Sequence, residues 1–400
     1  MINFKNYFSV TTKTPQIIEE GGAAGHMAHP FDLKSVKNGN DLIQFFEDAA
    51  EVLSEGDASL KIDGVNASFK LIKKLDGERE FALDRGSMKP LDVEGITIDK
   101  LTERFGEGHG MIHAGETLLK ILNQSLPIIS KELKELGMWY NANVFLNTEF
   151  VMKKTNVQEY DDNFLAIHGV NEFYQVTPKR RASKEISYKK STMSRLIEKL
   201  NSVASGYDYK VYGSVPVTLK LDSLPNYQSV LTQQYPLVYD EVTYENKTIA
   251  TWLNQATNPV GIMVNTVDGK KVGALSKKVY LHLNDGKAAS DLVGDDREAQ
   301  QLCIDGAVIY HATRLLGAEL LEHLESDMGS ANDHEGIVIR DKKFGPNPVK
   351  VTGEFIIRGM QSAFQNENEA SVVQNFDKGF NSNFYVNKPA HNMGQRGLPG

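Results

Sequence analysis

Ser59-Leu60-Lys61-Ile62-Asp63-Gly64-Val65-Asn66-Ala67-Ser68-Phe69 is the stretch that decides the fold of this chain. It predicts a strand that ends at Lys61, a tight Asp63-Gly64 turn, and a second strand in which apolar and polar residues alternate. Such a turn directs the lysine amine out of the sheet. Taken alone the pattern is weak, because Asp-Gly is an ordinary hairpin turn and a lysine beside it is usually solvated.

Farther along the chain, three single charges stand in segments that otherwise predict buried strands. Glu149 interrupts the apolar run from Phe145 to Val151, Glu335 precedes the run that continues to Ile339, and Lys350 stands between two valines. A charge in a buried strand is costly unless another group pairs with it. The pattern therefore predicts one shared site, in which carboxylates and lysines neutralise each other and a polyanion bound with a metal ion. The alternative is that each charge faces water at a strand edge.

These segments resemble, in the same order, the motifs of the covalent nucleotidyltransferase superfamily, which contains ATP-dependent DNA ligases, RNA ligases and mRNA-capping enzymes. The resemblance is carried by Lys61-x-Asp63-Gly64 as motif I, Arg85-Gly86 as motif Ia, Glu149 as motif III, Asn163 to Gly169 as motif IIIa, Glu335 to Arg340 as motif IV and Lys350 as motif V. Motifs I and IV are the specific ones. Asn66, where DNA ligases usually carry arginine, is similar to the RNA ligase 2 branch, although that branch often has histidine where Asp63 stands.

The resemblance implies an α+β fold: a nucleotidyltransferase domain with two mainly antiparallel sheets flanking an ATP cleft, and a large insertion. It also implies an ATP- and Mg²⁺-dependent polynucleotide ligase, with RNA favoured over DNA, that acts through lysyl-AMP on Lys61. The site residues that it implies are Lys61 and Lys350 in catalysis; Leu60, Lys61, Asp63, Gly64, Arg85, Glu149, Phe164, Ile167, Glu335 and Lys350 around the nucleotide; and Glu335 and Asp63 at the metal. Among these, Glu149 would contact the ribose, Arg85 a phosphate, and Phe164 or Ile167 the adenine face.

Nucleophilic attack requires a neutral amine at Lys61, and the ordinary lysine pKa of about 10.4 makes that form rare at pH 7. Burial and neighbouring cations such as Lys350 and Arg85 are expected to lower the pKa of Lys61.

Three departures from the family pattern leave other hypotheses open. Thr352 stands where motif V usually has a second lysine, the stretch between His168 and Glu335 is longer than in a minimal ligase, and about 50 residues follow Lys350. The last point leaves no room for the OB domain of DNA ligases, so a protein partner could supply its function. The second hypothesis is a nucleotidyltransferase-fold protein without ligase activity, serving as a nucleic-acid-binding or phage structural or assembly component. Transfer of the nucleotide to an RNA cap or a protein is a third.

The composition of the chain limits the kinds of partner that it is expected to bind. A net charge of −8 excludes a basic coat over the whole protein, so nucleic acid, the expected partner, would contact a local face such as the basic run from Lys179 to Lys190. A solvated basic loop on an inserted element is an equal alternative for that run. The lone Cys303 lies in an apolar stretch and is expected to be buried, in keeping with a cytoplasmic location. Neither a signal peptide nor a long apolar span is seen, so no membrane partner is expected.

Periodicity divides the chain into a lead-in over residues 1–57, a first nucleotidyltransferase part over 58–175, an insertion over 176–330, a second part over 331–360 and a polar, flexible tail over 361–400. Apolar spacing predicts helices between Asn40 and Gly56, from Glu116 to Leu136, and over 192–204 and 296–327. Strands are predicted over 80–83, 144–152, 163–170, 334–340 and 349–357.

Overall fold

The structure, a computed structural model, describes residues 27–55, 58–84, 95–108, 110–153, 158, 160–178, 180–220, 223–234, 247–255, 258–267, 270–284, 288–345, 347–353 and 355. Arg85, with the resemblance to motif Ia, and the tail from residue 361 lie outside these residues.

The described residues form both strands and helices. The strands are β1 Ala58–Lys61, β2 Val65–Lys73, β3 Arg79–Asp84, β4 Val144–Val151, β5 Asn163–Thr177, β6 Arg180–Glu185, β7 Tyr209–Tyr212, β8 Val217–Leu219, β9 Thr266–Val267, β10 Lys270–Lys271, β11 Leu324–Ser326, β12 Gly329–Ser330, β13 Gly336–Ile339 and β14 Val349–Thr352. The helices are α1 Gly39–Glu55, α2 Leu101–Phe105, α3 Gly110–Glu135, α4 Lys190–Ala204, α5 Tyr227–Leu231, α6 Ile249–Gln255, α7 Pro259–Val264, α8 Val272–Asn284, α9 Ser290–Val293 and α10 Arg297–Glu322. Among the helices of the described ranges, none combines the length and apolarity needed to cross a bilayer.

The larger sheet has the strand order β3-β2-β4-β5-β6, with antiparallel neighbours, and β7 pairs in parallel with β5. Side chains alternate between its two faces, and one face packs on α3 and α4. We call this packed side the sheet–helix core; among its members are Phe69, Leu119, Leu146 and Leu196. The helices predicted over 116–136 and 192–204 are confirmed as α3 and α4, and α3 continues through Pro127.

The smaller sheet has the order β1-β13-β14 and is also antiparallel. Each of its edges is bridged at one point by the protein's own backbone: Ala28 pairs in parallel with Val349 of β14, and Pro216 pairs with Ser59 of β1. Its apolar side chains join the large core, which α1, α8 and α10 complete and which includes Phe46, Val279, Leu316 and Ile337. Two further small sheets, β8-β11-β12 and β9-β10, are also antiparallel. The mixture of helices and mainly antiparallel sheets agrees with the predicted α+β class.

The two sheets do not follow the predicted five-part division of the sequence. The boundary between residues 175 and 176 falls inside β5, and β6, α4 and β7 continue the larger sheet and its helical side. The lead-in helix α1 packs on α10 from the predicted insertion, and both share the large core with β1 and β13. Cys303 is buried in α10, as expected.

The basic run occupies a strand of the larger sheet, so its interpretation as a solvated loop is wrong for residues 180–185. Arg181 on β6 is buried and donates hydrogen bonds to both carboxylate oxygens of Asp84, at 2.9 and 2.5 Å. Lys184 is more exposed and pairs with Glu172 at 2.9 Å. At least one cation of the run is therefore committed to the protein interior and is not available to a phosphate backbone.

Candidate functional site

Lys61 and Glu335 form the centre of the candidate site. Lys61 ends β1, Glu335 directly precedes the paired strand β13, and the Glu335 N–H donates to the Lys61 carbonyl at 3.2 Å. The Lys61 Nζ lies 2.5 Å from a Glu335 carboxylate oxygen, and the two side chains are 12% and 15% exposed. The register of the two strands thus sets an amine beside a carboxylate, largely removed from water but still reachable.

Gly336, opposite Lys61 in the sheet, is needed for this arrangement. Its φ is 139°, and a Cβ there would lie 2.0 Å from the carbonyl oxygen of Val351 on β14. Only glycine accommodates both the positive φ and the close approach of a neighbouring backbone. The glycine that follows Glu335 therefore lets β13 run close against β14 at the level of the site.

The charges at the site shift two lysine pKa values in opposite directions. Burial opposes the positive charge of Lys61, but the carboxylates of Glu335, Glu149 and Asp63 outweigh burial and raise the Lys61 pKa above its ordinary value. The expectation of a lowered pKa at Lys61 is therefore wrong for this arrangement of charges. The lowered pKa belongs to Lys350, where burial and then repulsion by Lys61 outweigh the attraction of Glu335 and other carboxylates.

Lys350 reaches the site from the edge strand of the smaller sheet. Lys350 lies in β14 opposite Val338 of β13, and its N–H donates to the Ala28 carbonyl at 2.8 Å. The same side chain interacts electrostatically with Lys61 and Glu335, so two lysines and a glutamate of one sheet act on each other.

Glu149 comes to the site from the larger sheet. One of its carboxylate oxygens accepts the Gly64 N–H at 3.2 Å, and the other accepts from His168 Nε2 at 3.2 Å. A Cβ at residue 64 would lie 2.8 Å from the Glu149 Cγ, so the glycine of the turn makes this contact possible. Burial alone would raise the pKa of Glu149, but the His168 hydrogen bond and the Lys61 charge outweigh it and hold the pKa below its usual range.

Asp63, in the turn after Lys61, is held by the segment that follows β4. Its side chain is buried and accepts the Gln158 N–H at 2.9 Å, while its own N–H donates to the Tyr160 hydroxyl at 3.0 Å. Burial and the nearby Glu335 carboxylate raise the pKa of Asp63 to about 7. The site thus holds three carboxyl groups close enough to perturb one another.

The structure brings together most of the residues that the sequence selected. Lys61, Asp63, Glu149, Glu335 and Lys350 interact with one another, and Gly64 takes part through its backbone N–H. Three others, Phe164, Ile167 and Leu60, have their side chains in apolar clusters.

Phe164 is almost fully buried in an apolar cluster with Ile62, Val151 and Ala166, so its ring presents no open face to a base. Ile167 belongs to the sheet–helix core on the opposite face of β5, and its side chain is not brought to the site. The Leu60 side chain lies in the large core, which leaves only its backbone near the site.

Three site residues escaped the sequence interpretation: Tyr160, His168 and His334. The sequence did contain a signal for His168. Side chains alternate along a strand, so Phe164, Ala166 and His168 lie on one face of β5, the face on which His168 pairs with Glu149. His334 directly precedes Glu335 but resembles any residue that leads into a strand. Tyr160 lies between elements, where no periodicity marks it.

No group of three or more histidine, cysteine or acidic side chains is assembled as a metal site within the described ranges. Comparisons of the chain with protein-family models, with curated proteins and with solved structures gave no match.

Proposed function

We propose that this chain is an ATP-dependent polynucleotide ligase with a nucleotidyltransferase fold, and that Lys61 becomes adenylylated. The observation that carries the proposal is the convergence of Lys61, Glu149, Glu335 and Lys350, four residues from distant parts of the sequence, on one largely buried site. These residues were predicted from their resemblance to ligase motifs, which depends on the order of residues along the chain and not on their positions in space. A set of surface charges with no common role would not be expected to meet in this way.

In the proposed first step, the Lys61 Nζ attacks the α-phosphorus of ATP. An N–P bond forms, the bond from the α-phosphorus to the bridging oxygen breaks, pyrophosphate leaves, and the nitrogen loses a proton. The raised pKa of Lys61 means that the amine begins as an ammonium paired with Glu335. It must leave this pair and give up its proton before it can attack. Lys350 would lie beside the reacting phosphate and stabilise the negative charge that develops on it.

The residues fit a Mg²⁺ ion bound together with phosphate groups. Mg²⁺ prefers carboxylate oxygens, and it commonly uses only one or two protein ligands besides water and substrate phosphates. Glu335 and Asp63 offer such oxygens. Burial and then the Glu335 carboxylate raise the pKa of Asp63, and a divalent cation would oppose this shift by favouring the ionised form. When bound, the ion would stabilise negative charge on the transferring phosphate.

In the later steps the AMP group would pass to a 5′-phosphate on a nucleic acid, and a 3′-hydroxyl would then displace AMP and join the ends. RNA is favoured over DNA because Asn66 is similar to the residue of the RNA ligase 2 branch. In the structure Asn66 stands opposite Glu149 in the larger sheet and donates a hydrogen bond to Asn147 at 3.4 Å. Its side chain is therefore on the sheet face that carries the glutamate of the site.

Covalent labelling with ATP tests whether Lys61 becomes adenylylated. We expect the protein to acquire an acid-labile label from ATP labelled at the α-phosphate, in the presence of Mg²⁺, and peptide mapping to locate it at Lys61. Lys61→Ala removes the nucleophile and should abolish the label. Lys343→Ala is the matched control, since Lys343 pairs with Asp48 and Glu51 at the surface and should be dispensable.

Equal labelling of the wild-type protein and the Lys61→Ala variant would exclude the enzyme proposal. Label from GTP in preference to ATP would indicate nucleotide transfer of the capping type. Two features favour the non-enzymatic alternative: Thr352 in place of a second motif V lysine, and the raised pKa of Lys61. Binding of ATP without labelling, with stable association into a large particle, would support that alternative.

A further inference from the structure

A directed chain of hydrogen bonds connects the turn after Lys61 with the residue before Glu335. The Asp63 N–H donates to the Tyr160 hydroxyl oxygen at 3.0 Å, and that hydroxyl lies 3.4 Å from His334 Nδ1. The second ring nitrogen, His334 Nε2, lies 3.1 Å from the carbonyl oxygen of Met328. Met328 lies in the turn between β11 and β12. These hydrogen bonds therefore join three segments around the site: the turn at Asp63, the residues at Tyr160, and the stretch from Met328 to His334.

The partners define the direction of each bond. The Met328 carbonyl can only accept, so His334 Nε2 must carry the hydrogen. The Nδ1 atom of a neutral imidazole then has a free lone pair, and the Tyr160 hydroxyl donates to it while accepting the Asp63 N–H. His334 is buried, and burial holds its pKa below the usual value, which agrees with a neutral ring.

Ring packing fixes the middle of this chain. The Tyr160 ring packs edge-on against Phe164, with centroids 5.2 Å apart, and lies 5.7 Å from the His334 ring. Phe164 in turn packs against Tyr212 at 5.3 Å. The hydroxyl of Tyr160 is therefore held in position by buried aromatic neighbours instead of moving freely on its loop.

We propose that Tyr160 and His334 are positioning residues, which hold the Asp63-Gly64 turn against the start of β13 and so fix Lys61 relative to Glu335. The inference rests on the proposed adenylylation of Lys61 for its functional meaning. Its structural content can be tested separately. Neither side chain needs to touch ATP, because the effect passes through the backbone on either side of the reacting pair.

The structural test is amide hydrogen exchange of the full chain without nucleotide. Tyr160→Phe removes only the hydroxyl, and it should raise the exchange rate of the peptide containing residues 61–64 by about 10-fold. Tyr212→Phe is the matched control in the same aromatic cluster and should leave that peptide unchanged. An unchanged rate in Tyr160→Phe, or equal changes in both variants, overturns the inference.

Two substitutions at His334 separate a positioning role from general packing. The side-chain oxygen of asparagine can take the place of Nδ1 and accept from Tyr160, whereas glutamine reaches the place of Nε2 and keeps only the Met328 bond. His334→Asn should therefore preserve the slow exchange of residues 61–64, and His334→Gln should lose it. The opposite order would contradict the proposed chain, and this pair remains informative if Tyr160→Phe fails to fold.

The functional test is single-turnover formation of lysyl-AMP over a range of ATP concentrations. Misplacement of the reacting groups should lower the maximal rate by about 10-fold in Tyr160→Phe and His334→Gln, with half-saturation by ATP changed less than about 2-fold. His334→Asn should recover most of the rate. A change confined to half-saturation would overturn the positioning role. If the wild-type protein forms no lysyl-AMP, the ligase proposal fails, and the exchange experiment alone decides whether the turn is held as inferred.

Discussion

Asp63 is a carboxyl group of the site whose ionisation is disfavoured. Its carboxyl group is buried beside the carboxylates of Glu335 and Glu149, and the attraction of Lys61 does not fully compensate. The native protein therefore holds a proton on Asp63 at pH values where the unfolded chain has already released it. The contribution of Asp63 to folding stability therefore falls as pH rises from about 4 to about 7, because at this group the unfolded state binds fewer protons in that window.

Asp63→Asn should remove this dependence while the amide oxygen still accepts the Gln158 N–H. A shift in pKa from 3.8 to about 7 corresponds to a free energy of about 4 kcal/mol. This is the upper limit of the gain in stability, because the amide of asparagine has no charge to attract Lys61. We expect the variant to be more stable than the wild type at pH 8, and the difference to shrink toward pH 4. Urea unfolding at several pH values measures it.

The matched control is Asp76→Asn, since Asp76 is exposed and pairs loosely with Lys74 at 3.7 Å. That variant should show no gain in stability that grows with pH. A constant difference between Asp63→Asn and wild type across the range would contradict the assigned shift.

At the scale of elements, β6 is joined to the rest of the larger sheet by buried charges as well as by its hydrogen bonds to β5. Asp84 on β3 accepts two hydrogen bonds from Arg181 and lies 3.3 Å from the Lys70 amine on β2. Paired hydrogen bonds between a guanidinium and a carboxylate are strong and geometrically specific. The cluster therefore fixes strands that are not neighbours in the sheet relative to one another.

Removing one partner of this cluster should lower the free energy of unfolding far more than removing one partner of an exposed ion pair. Arg181→Leu leaves the buried Asp84 with Lys70 alone, and it should lower the free energy of unfolding by about 3 kcal/mol or more. Lys184→Ala, on the same strand, breaks a pair in which the lysine is 47% exposed and should cost less than about 1 kcal/mol. Urea unfolding compares the two, and equal losses would show that the Asp84 cluster contributes no more than an exposed pair.

The glycine beside Glu335 gives a second test at this scale. Gly336→Ala would place a methyl group 2.0 Å from the Val351 carbonyl oxygen, so we expect a loss of about 4 kcal/mol or more in stability. Gly329 also has a positive φ, 98°, but a Cβ there would meet open space. Gly329→Ala should therefore lower the free energy of unfolding by only about 1 kcal/mol. Thermal or urea unfolding measures both variants. A small loss at Gly336 would mean that β13 and β14 can separate at the site without penalty.

Much of the element order could be predicted because period-2 and period-3.6 patterns mark β4, β5, α1, α3 and α10 in the sequence. The same alternation already separates Phe164 from Ile167, since residues three apart in a strand lie on opposite faces. The strand at Arg180–Glu185 could not be recognised, because its charges are paired by residues such as Asp84 that are distant in sequence. The Tyr160 contacts likewise depend on tertiary neighbours and have no local pattern.

At the scale of the whole molecule, the candidate site lies where the two sheets meet. Lys61, Glu335 and Lys350 come from the smaller sheet, whose apolar residues join the large core. Glu149 and His168 come from the larger sheet, which packs on the sheet–helix core. A nucleotide that contacts both groups would join two separately packed parts of the protein, so its binding should stabilise the entire chain.

We therefore expect an ATP analogue with a methylene group between the α- and β-phosphorus atoms, which cannot transfer AMP, to raise the melting temperature in the presence of Mg²⁺. At a ligand concentration of about 100 times Kd, the stabilisation should be about 2.7 kcal/mol. Glu149→Gln should reduce the shift at a fixed ligand concentration, and the corresponding GTP analogue should give a smaller one. An equal shift with Mg²⁺ removed by a chelator would argue against the proposed use of carboxylates.

The backbone pairing of Ala28 with Val349 has a consequence for how copies of this protein behave in solution. A bare edge strand offers unpaired amide and carbonyl groups to any other extended chain and is a common starting point for aggregation. Here the Ala28 N–H donates to the Pro348 carbonyl and the Lys350 N–H donates to the Ala28 carbonyl, so the start of β14 is paired on its outer side with the protein's own backbone. The residue that pairs with the backbone of Lys350 thereby also reduces the length of β14 that is open to a second molecule.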